Sequence, residues 1–111
     1  ILMELYTGLL LFGTHENLEH LALMEATLQR FPPCMSVLAS HNARSSYMVQ
    51  DGCGGLRLRW PEGATSAESE QRVRRQRQLG QLAMRSHDKF SNLVYQMLAI
   101  VPSQRPTPAQ A

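Results

Sequence analysis

Between Glu19 and Ala26 the chain reads EHLALMEA, and at about 100° per residue Leu21, Met24, Leu28 and Phe31 fall within one arc that Leu18 widens. This predicts an amphipathic helix. Glu25 falls inside the same arc, between Leu21 and Leu18, which is an uncommon place for a carboxylate because an unpaired buried charge costs more than a leucine returns. Either a polar partner waits there or Glu25 reaches round to solvent. The helix is expected to run from a Thr14 cap, with Glu16 near its positive end, to about Arg30, where Phe31-Pro32-Pro33 forbids continuation.

The remaining pattern predicts smaller elements. Residues 1–12 read as a buried core helix with Gly8 tolerated inside it, and Gly13, Thr14 and His15 make a short connection. After the prolines a short helix fits Met35 to Leu38. DGCGG at Asp51 to Gly55 is turn chemistry, and no strand-loop-helix context turns its glycines into a phosphate cradle. In LRLRW, Leu56, Leu58 and Trp60 point one way and Arg57 and Arg59 the other. That is a half-buried strand, one arm of a hairpin with the segment at Tyr47 to Val49. Residues 61–67 read as loop. A polar stretch with Arg72, Arg74, Arg75 and Arg77 comes next, partly offset by Glu68 and Glu70, and reads as a solvated face. Gly80 interrupts it. Asp88 can cap a further helix whose stripe is Phe90, Leu93, Val94, Met97 and Leu98, ending before Pro102. Thr107-Pro108 is again a helix start.

Composition narrows the function classes. In 111 residues, 43% are apolar, enough for a core within the size of a single domain, and a net charge of +2 is too small to imply a nucleic-acid partner. The basic run also lacks the interleaved aromatics that nucleic-acid binding favours. ILMELYTGLLLF carries Glu4, lacks a basic flank and is shorter than the roughly 20 residues of a membrane span, so neither a membrane anchor nor a signal peptide is expected. Cys34 and Cys53 show no spacing for zinc or redox chemistry, which fits a reduced intracellular setting, the alternative being a bridge between the two. His15, His20, His41 and His87 are scattered, and no HExxH, GxSxG or Walker pattern occurs. No residue is therefore assigned as catalytic, cofactor-binding or metal-ligating. The chain has no initiator methionine, opens inside an apolar segment and closes three residues after Pro108, so both ends are expected to lie within a larger domain.

Three stretches in order resemble one family. ELYTGLLLFGTHENLEHLALMEATL, with YTG and the F-x-T-H-x-N pattern at Phe12, Thr14, His15 and Asn17, resembles the junction of helices F and G in the carboxy-terminal lobe of a protein kinase. More narrowly it resembles the LAMMER (CDC-like) kinases, whose motif is EHLAMMER: Glu19, His20, Leu21, Ala22, Met24 and Glu25 match, Leu23 replaces a methionine and Ala26 replaces the closing arginine. The LRLRW strand resembles the family's R-L-D-W insert segment through Arg57, Leu58 and Trp60, with Arg59 in place of the aspartate. Arg74, Arg75 and Leu79 fit the family's segment just past the insert. NLVYQMLAIVPSQRPTPAQA resembles helix H and M-L-x-x-D-P-x-x-R-x-T-x-x-E-A: Met97, Leu98, Pro102, Arg105, Thr107 and Ala111 match, while Val101 and Gln110 depart.

The resemblance implies a mainly α fold, the carboxy-terminal lobe of a protein kinase from helix F to the start of helix I, with a small β-hairpin insert. Residues 1–31 would be helices F and G with the motif, 32–86 the insert and basic segment, and 87–111 helix H and the start of helix I. It implies structural roles for Glu19, His20, Leu21, Ala22, Met24, Glu25 and Arg105. Glu25 would be a buried, paired carboxylate, with His20 a substitute donor for the missing arginine, and the arginine at the Arg105 position would pair with the glutamate of the A-P-E motif. For the parent it implies a dual-specificity protein kinase with mature activity towards serine and threonine, ATP and Mg, Arg/Ser-rich protein substrates, the remainder of the kinase domain as partner, and a nuclear location, with no membrane and no nucleic acid. The chain itself carries no cofactor and none of the four transfer elements, namely the glycine-rich loop, strand lysine, catalytic-loop aspartate and D-F-G aspartate. It would supply scaffold and docking surface. The alternative is a pseudokinase or a helical protein-interaction module, to which Ala26, Val101 and Gln110 lend weight.

Overall fold

The computed structural model describes residues 1–13 and 15–111. Helix α1 spans Leu2–Thr7 and stops at Gly8, whose φ of 75° is left-handed and whose amide donates to the Glu4 carbonyl at 2.7 Å. A glycine reaches that conformation without the Cβ penalty, so Gly8 ends the helix rather than being tolerated inside it. The expected burial of residues 1–12 is also corrected. Met3 is buried, but Leu5, Leu9 and Leu10 are 79%, 72% and 70% exposed.

Helix α2, Asn17–Thr27, stops before the expected Arg30. Glu16 stands at its N-cap position, and the expected Thr14 cap lies outside the described residues. The double proline that ends this segment also begins the next, because Pro33 occupies the first turn of α3, Pro33–Leu38, where its missing N–H is not needed. Helix α4, His41–Tyr47, has no apolar stripe to announce it. Its start is fixed by the Ser40 hydroxyl, which accepts from the Ala43 amide at 3.2 Å.

Strands β1, Met48–Gln50, and β2, Leu56–Leu58, pair antiparallel with Met48 opposite Leu58 and Gln50 opposite Leu56, forming the expected hairpin. Its turn is held by Asp51 Oδ1, which accepts from the amides of Cys53 at 2.9 Å and Gly55 at 2.8 Å, with Gly54 at φ 81°. Leu58 is buried while Arg57 and Arg59 are exposed, as the alternation requires.

Helix α5, Ala67–Arg75, opens at Ser66, whose hydroxyl accepts from the Ser69 amide at 3.1 Å. Two 3₁₀ turns, Leu79–Gln81 and Arg85–His87, lead into α6, Asp88–Met97. Asp88 is the first helical residue and His87 takes the cap position, a shift of one residue from expectation. At the end of the chain, the amides of Gln110 and Ala111 both donate to the Thr107 carbonyl. The predicted helix start is present as a turn.

Two apolar clusters hold these elements. Met3, Leu79 and Val94 form one, with Leu11, Leu28, Leu82, Phe90 and Leu98 packed against it; Ala22, Leu23 and Val73 form the other, with Phe12, Ala26 and Trp60 around it. The accessible surface is 7891 Å². A closed monomer of 12.5 kDa exposes about 6,200 Å². The radius of gyration, 15.1 Å, likewise exceeds the roughly 13 Å of a closed domain this long. No described helix is long and apolar enough to cross a membrane.

Candidate functional site

The structure turns α2 by about half a revolution from the face its large apolar residues suggest. Leu18, Glu19, Ala22, Leu23 and Thr27 are the buried positions, whereas Leu21, Met24, Leu28 and Phe31 are half-buried. From Glu19 the buried set recurs at i, i+3, i+4, i+7 (Ala26, partly buried) and i+8, one continuous helical face. Apart from Leu23 its residues are small or polar. That lets α5 approach closely, and α5 answers with its own i, i+3, i+4, i+7 row of Ser69, Arg72, Val73 and Gln76.

Polar contacts bracket the apolar middle of this contact. Glu19, fully closed to solvent, receives Arg72 in a two-pronged contact: Nε donates to Oε1 at 3.1 Å and Nη2 to Oε2 at 2.9 Å. The buried Ser69 hydroxyl donates to the same carboxylate. The Arg72 side chain stays 41% exposed, so the pair is closed at its acidic end and open at its basic end. The Arg72 fork holds the Glu19 carboxyl below the usual range against the opposing effect of burial, with help from Ser69 and the positive side of His15. Further along, Gln76 Nε2 donates to Thr27 Oγ1 at 3.0 Å and to the Leu11 carbonyl at 3.3 Å. Since Glu19 meets Ser69 and Arg72 while Thr27 meets Gln76, the two helices run in the same direction.

The buried paired carboxylate is therefore Glu19, not Glu25. Glu25 is half-buried and accepts from the Phe31 amide at 2.8 Å, tying down the chain just beyond the end of α2. Among the described residues it has no ion-pair partner. A carboxylate on that face has a free backbone amide within reach, so it needs no arginine. His20 is not its donor; the imidazole packs on Phe12, with ring centroids 5.6 Å apart. Ala26, at the place of the motif's arginine, packs against the Ala22 cluster. Leu21 lines a small apolar cleft with Phe31, Met35 and Leu58. Arg105 Nε donates to the Ala99 carbonyl at 2.7 Å, fixing the loop after α6, and the residue is exposed.

Ser69, Arg72 and Gln76 were missed in the sequence because the row they form carries only one apolar residue. The basic run is thus only partly a solvated face: Arg72 is turned inward to Glu19, whereas Arg74 pairs with Glu70 on the surface. Between β2 and the loop after it, Arg57 Nη2 contacts Glu62 Oε1 at 2.6 Å, which lowers the Glu62 carboxyl and raises the Arg57 guanidinium. A cleft of about 240 Å³ opens between α2, α3 and the hairpin, with Glu25, Arg30, Phe31, Ser36, Asp51 and Trp60 among its walls. Among the described residues no group of three or more His, Cys, Asp or Glu side chains is placed to hold a metal ion.

The chain is 44% identical over its whole length to the serine/threonine-protein kinase AFC3 of Arabidopsis thaliana and 42% identical to AFC2 of the same plant, spanning 28% and 26% of those proteins. It is 34% identical to the serine/threonine-protein kinase Doa of Drosophila melanogaster, again over its whole length, spanning 13% of that protein. A crystal structure of a kinase domain superposes with a TM-score of 0.85 at 40% identity, covering 96% of this chain and 30% of the other. No family model matches the chain.

Proposed function

We propose, for a chain that is along its whole length a segment of a LAMMER-type serine/threonine protein kinase domain, that the protein containing it is a nuclear kinase transferring phosphate from ATP to serine and threonine in Arg/Ser-rich proteins. The observation that carries this reading is the end-to-end match to kinase domains in both sequence and fold. Phosphoryl transfer depends on positioning and on electrostatic stabilisation by a glycine-rich loop, a strand lysine, a catalytic-loop aspartate and metal-bound phosphates. None of those elements occurs in these 111 residues. ATP with Mg would supply the transferable phosphoryl group; no step of the transfer is assigned to the side chains of this chain.

This chain's share is mechanical. The Glu19–Arg72 and Thr27–Gln76 contacts fix α5 against α2, and Arg105 fixes the segment after α6. The surface excess of about 1,700 Å² over a closed monomer, with Ile1, Leu5, Leu9 and Leu10 uncovered, supports the remainder of a kinase domain as the partner of α1 and the residues after it. Apolar patches of this kind mark surfaces that another element covers.

The test is a phosphate-incorporation assay with the full-length protein, ATP, Mg and two peptides, one of alternating Arg and Ser and one of alternating Lys and Ser. Incorporation is expected into the first in preference to the second. A folded protein that labels neither would instead be a pseudokinase or interaction module, and equal labelling would remove the Arg/Ser preference alone. Imaging of a fluorescently tagged full-length protein tests the nuclear assignment, which a cytosolic signal would overturn.

A further inference from the structure

We infer that the small apolar cleft between α2, α3, α4 and the hairpin is a docking site for a partner-protein segment that carries one leucine- or phenylalanine-sized side chain with carboxylates beside it. This partner is distinct from any Arg-rich substrate, and the inference goes beyond the transfer reaction.

Shape selects an apolar side chain. Leu21, Phe31, Met35, Met48 and Leu58 wall the cleft, and among the described residues no charged one lines it. Its volume of about 160 Å³ is close to the roughly 150 Å³ at which an apolar cavity takes up a benzene ring. The apolar surface continues outside. On α3, Leu38 lies about one turn from Met35 and next to Ala39, which also lines the cleft, and it is 81% exposed. Asn17 Nδ2 donates to the Tyr47 hydroxyl at 3.2 Å and ties α4 to the start of α2, so the cleft stands formed before a ligand arrives.

Charge selects what stands beside that side chain. No acidic residue occurs between Glu25 and Asp51, a stretch that holds all of α3, α4 and β1. Those two carboxylates line the neighbouring cleft, where Arg30 stands with them, and each has an oxygen taken by backbone amides. At the apolar cleft the polar groups are donors. Arg44 follows Ala43 and precedes Tyr47 by about one turn; both of those line the cleft, so Arg44 borders the face that α4 turns to it. Arg44 is exposed and forms no ion pair among the described residues. The Tyr47 hydroxyl accepts from Asn17, and its own proton has no acceptor among the described residues. A carboxylate satisfies both groups, as the charge-assisted partner of the guanidinium and as the acceptor for the phenol. A basic side chain would face Arg44 instead.

The experiment uses the full-length protein with isotope-labelled methionine methyl groups, and a short peptide whose central leucine has aspartates on both sides. Methionine-to-leucine variants assign the NMR signals of Met35, Met48, Met84 and Met97. Titration is expected to move the Met35 and Met48 signals and to leave those of Met84 and Met97 in place. Arg44→Glu, an exposed change, is expected to weaken binding about tenfold or more, and Ala43→Leu, which fills the cleft, to abolish it. The same peptide with serine for leucine, or with lysines for aspartates, is expected to bind about tenfold more weakly. Met35 and Met48 signals that stay still at millimolar peptide overturn the docking site; a lower melting temperature of Ala43→Leu in that case assigns the cleft to the remainder of the same protein. Equal binding of the lysine peptide overturns it as well. Signals that shift with protein concentration alone overturn it in favour of a second copy of the chain.

Discussion

The Glu19–Arg72 contact is asymmetric, and that asymmetry predicts different costs for removing its two ends. Glu19 is closed to solvent, while 41% of the Arg72 side chain reaches water. Glu19→Gln keeps the shape and an acceptor for Ser69, removes the charge, and leaves Arg72 free to hydrate. The cost is that of a weakened charge-assisted hydrogen bond, about 1–2 kcal/mol. Arg72→Met does the reverse and strands the Glu19 carboxylate in its closed site. Breaking a buried pair from that side costs about 3–5 kcal/mol, and the open basic end of this one places it near about 3 kcal/mol.

The pH dependence separates the two variants further. In the native protein the Glu19 carboxyl is lowered by the Arg72 fork, so its contribution is present above the unfolded carboxylate range and is lost as pH falls through the lowered value. In Arg72→Met, burial without the fork pushes the carboxyl up. The penalty then stands in full above the raised value and shrinks as acid protonates the group, so the variant gains on the native protein as pH falls from that raised value towards the unfolded carboxylate range. Hydrogen exchange of the α2 and α5 amides in the full-length protein reads the local opening free energy, and the double variant supplies the coupling. Equal costs for the two single variants within about 0.5 kcal/mol, strictly additive in the double variant, would refute the reasoning.

Gly63→Ala is expected to destabilise by about 1–3 kcal/mol through overpacking, since a Cβ there would sit 2.6 Å from the buried Leu18 Cδ2 and 2.8 Å from the Arg59 carbonyl oxygen; a fall in melting temperature checks it. Ser66→Ala removes the N-cap acceptor of α5 and is expected to cost about 1 kcal/mol, seen as faster exchange confined to the first turn of that helix. Arg57→Ala breaks an exposed pair beside the hairpin and is expected to leave the melting temperature unchanged, although the Glu62 carboxyl then titrates higher than in the native protein, which NMR of its side chain would track.

Much of the architecture was legible because it rests on local chemistry. Pro32-Pro33 stops one helix and starts the next, DGCGG turns a hairpin whose alternation is intact, and the stripe from Phe90 to Leu98 forms α6. The polar helices were less so. Neither α4 nor α5 carries an apolar stripe, and each depends on a serine cap and its neighbours for its start.

The amino-acid sequence alone determined the order and type of most elements and the resemblance to a kinase lobe, because those depend on short-range spacing and motif wording. It did not determine which face of α2 is covered. The large side chains Leu21, Met24 and Leu28 claim one side, yet α5 packs on the other, where Ala22 and Ala26 permit close approach. Only the tertiary structure brings Ser69, Arg72 and Gln76 across some fifty residues of chain onto that side, so only there does Glu19 gain the partners that make burying its charge tolerable. Periodicity measures where apolar bulk lies along a helix. Burial is decided by the element that packs against it, and small residues facing a polar partner leave almost no hydrophobic signature.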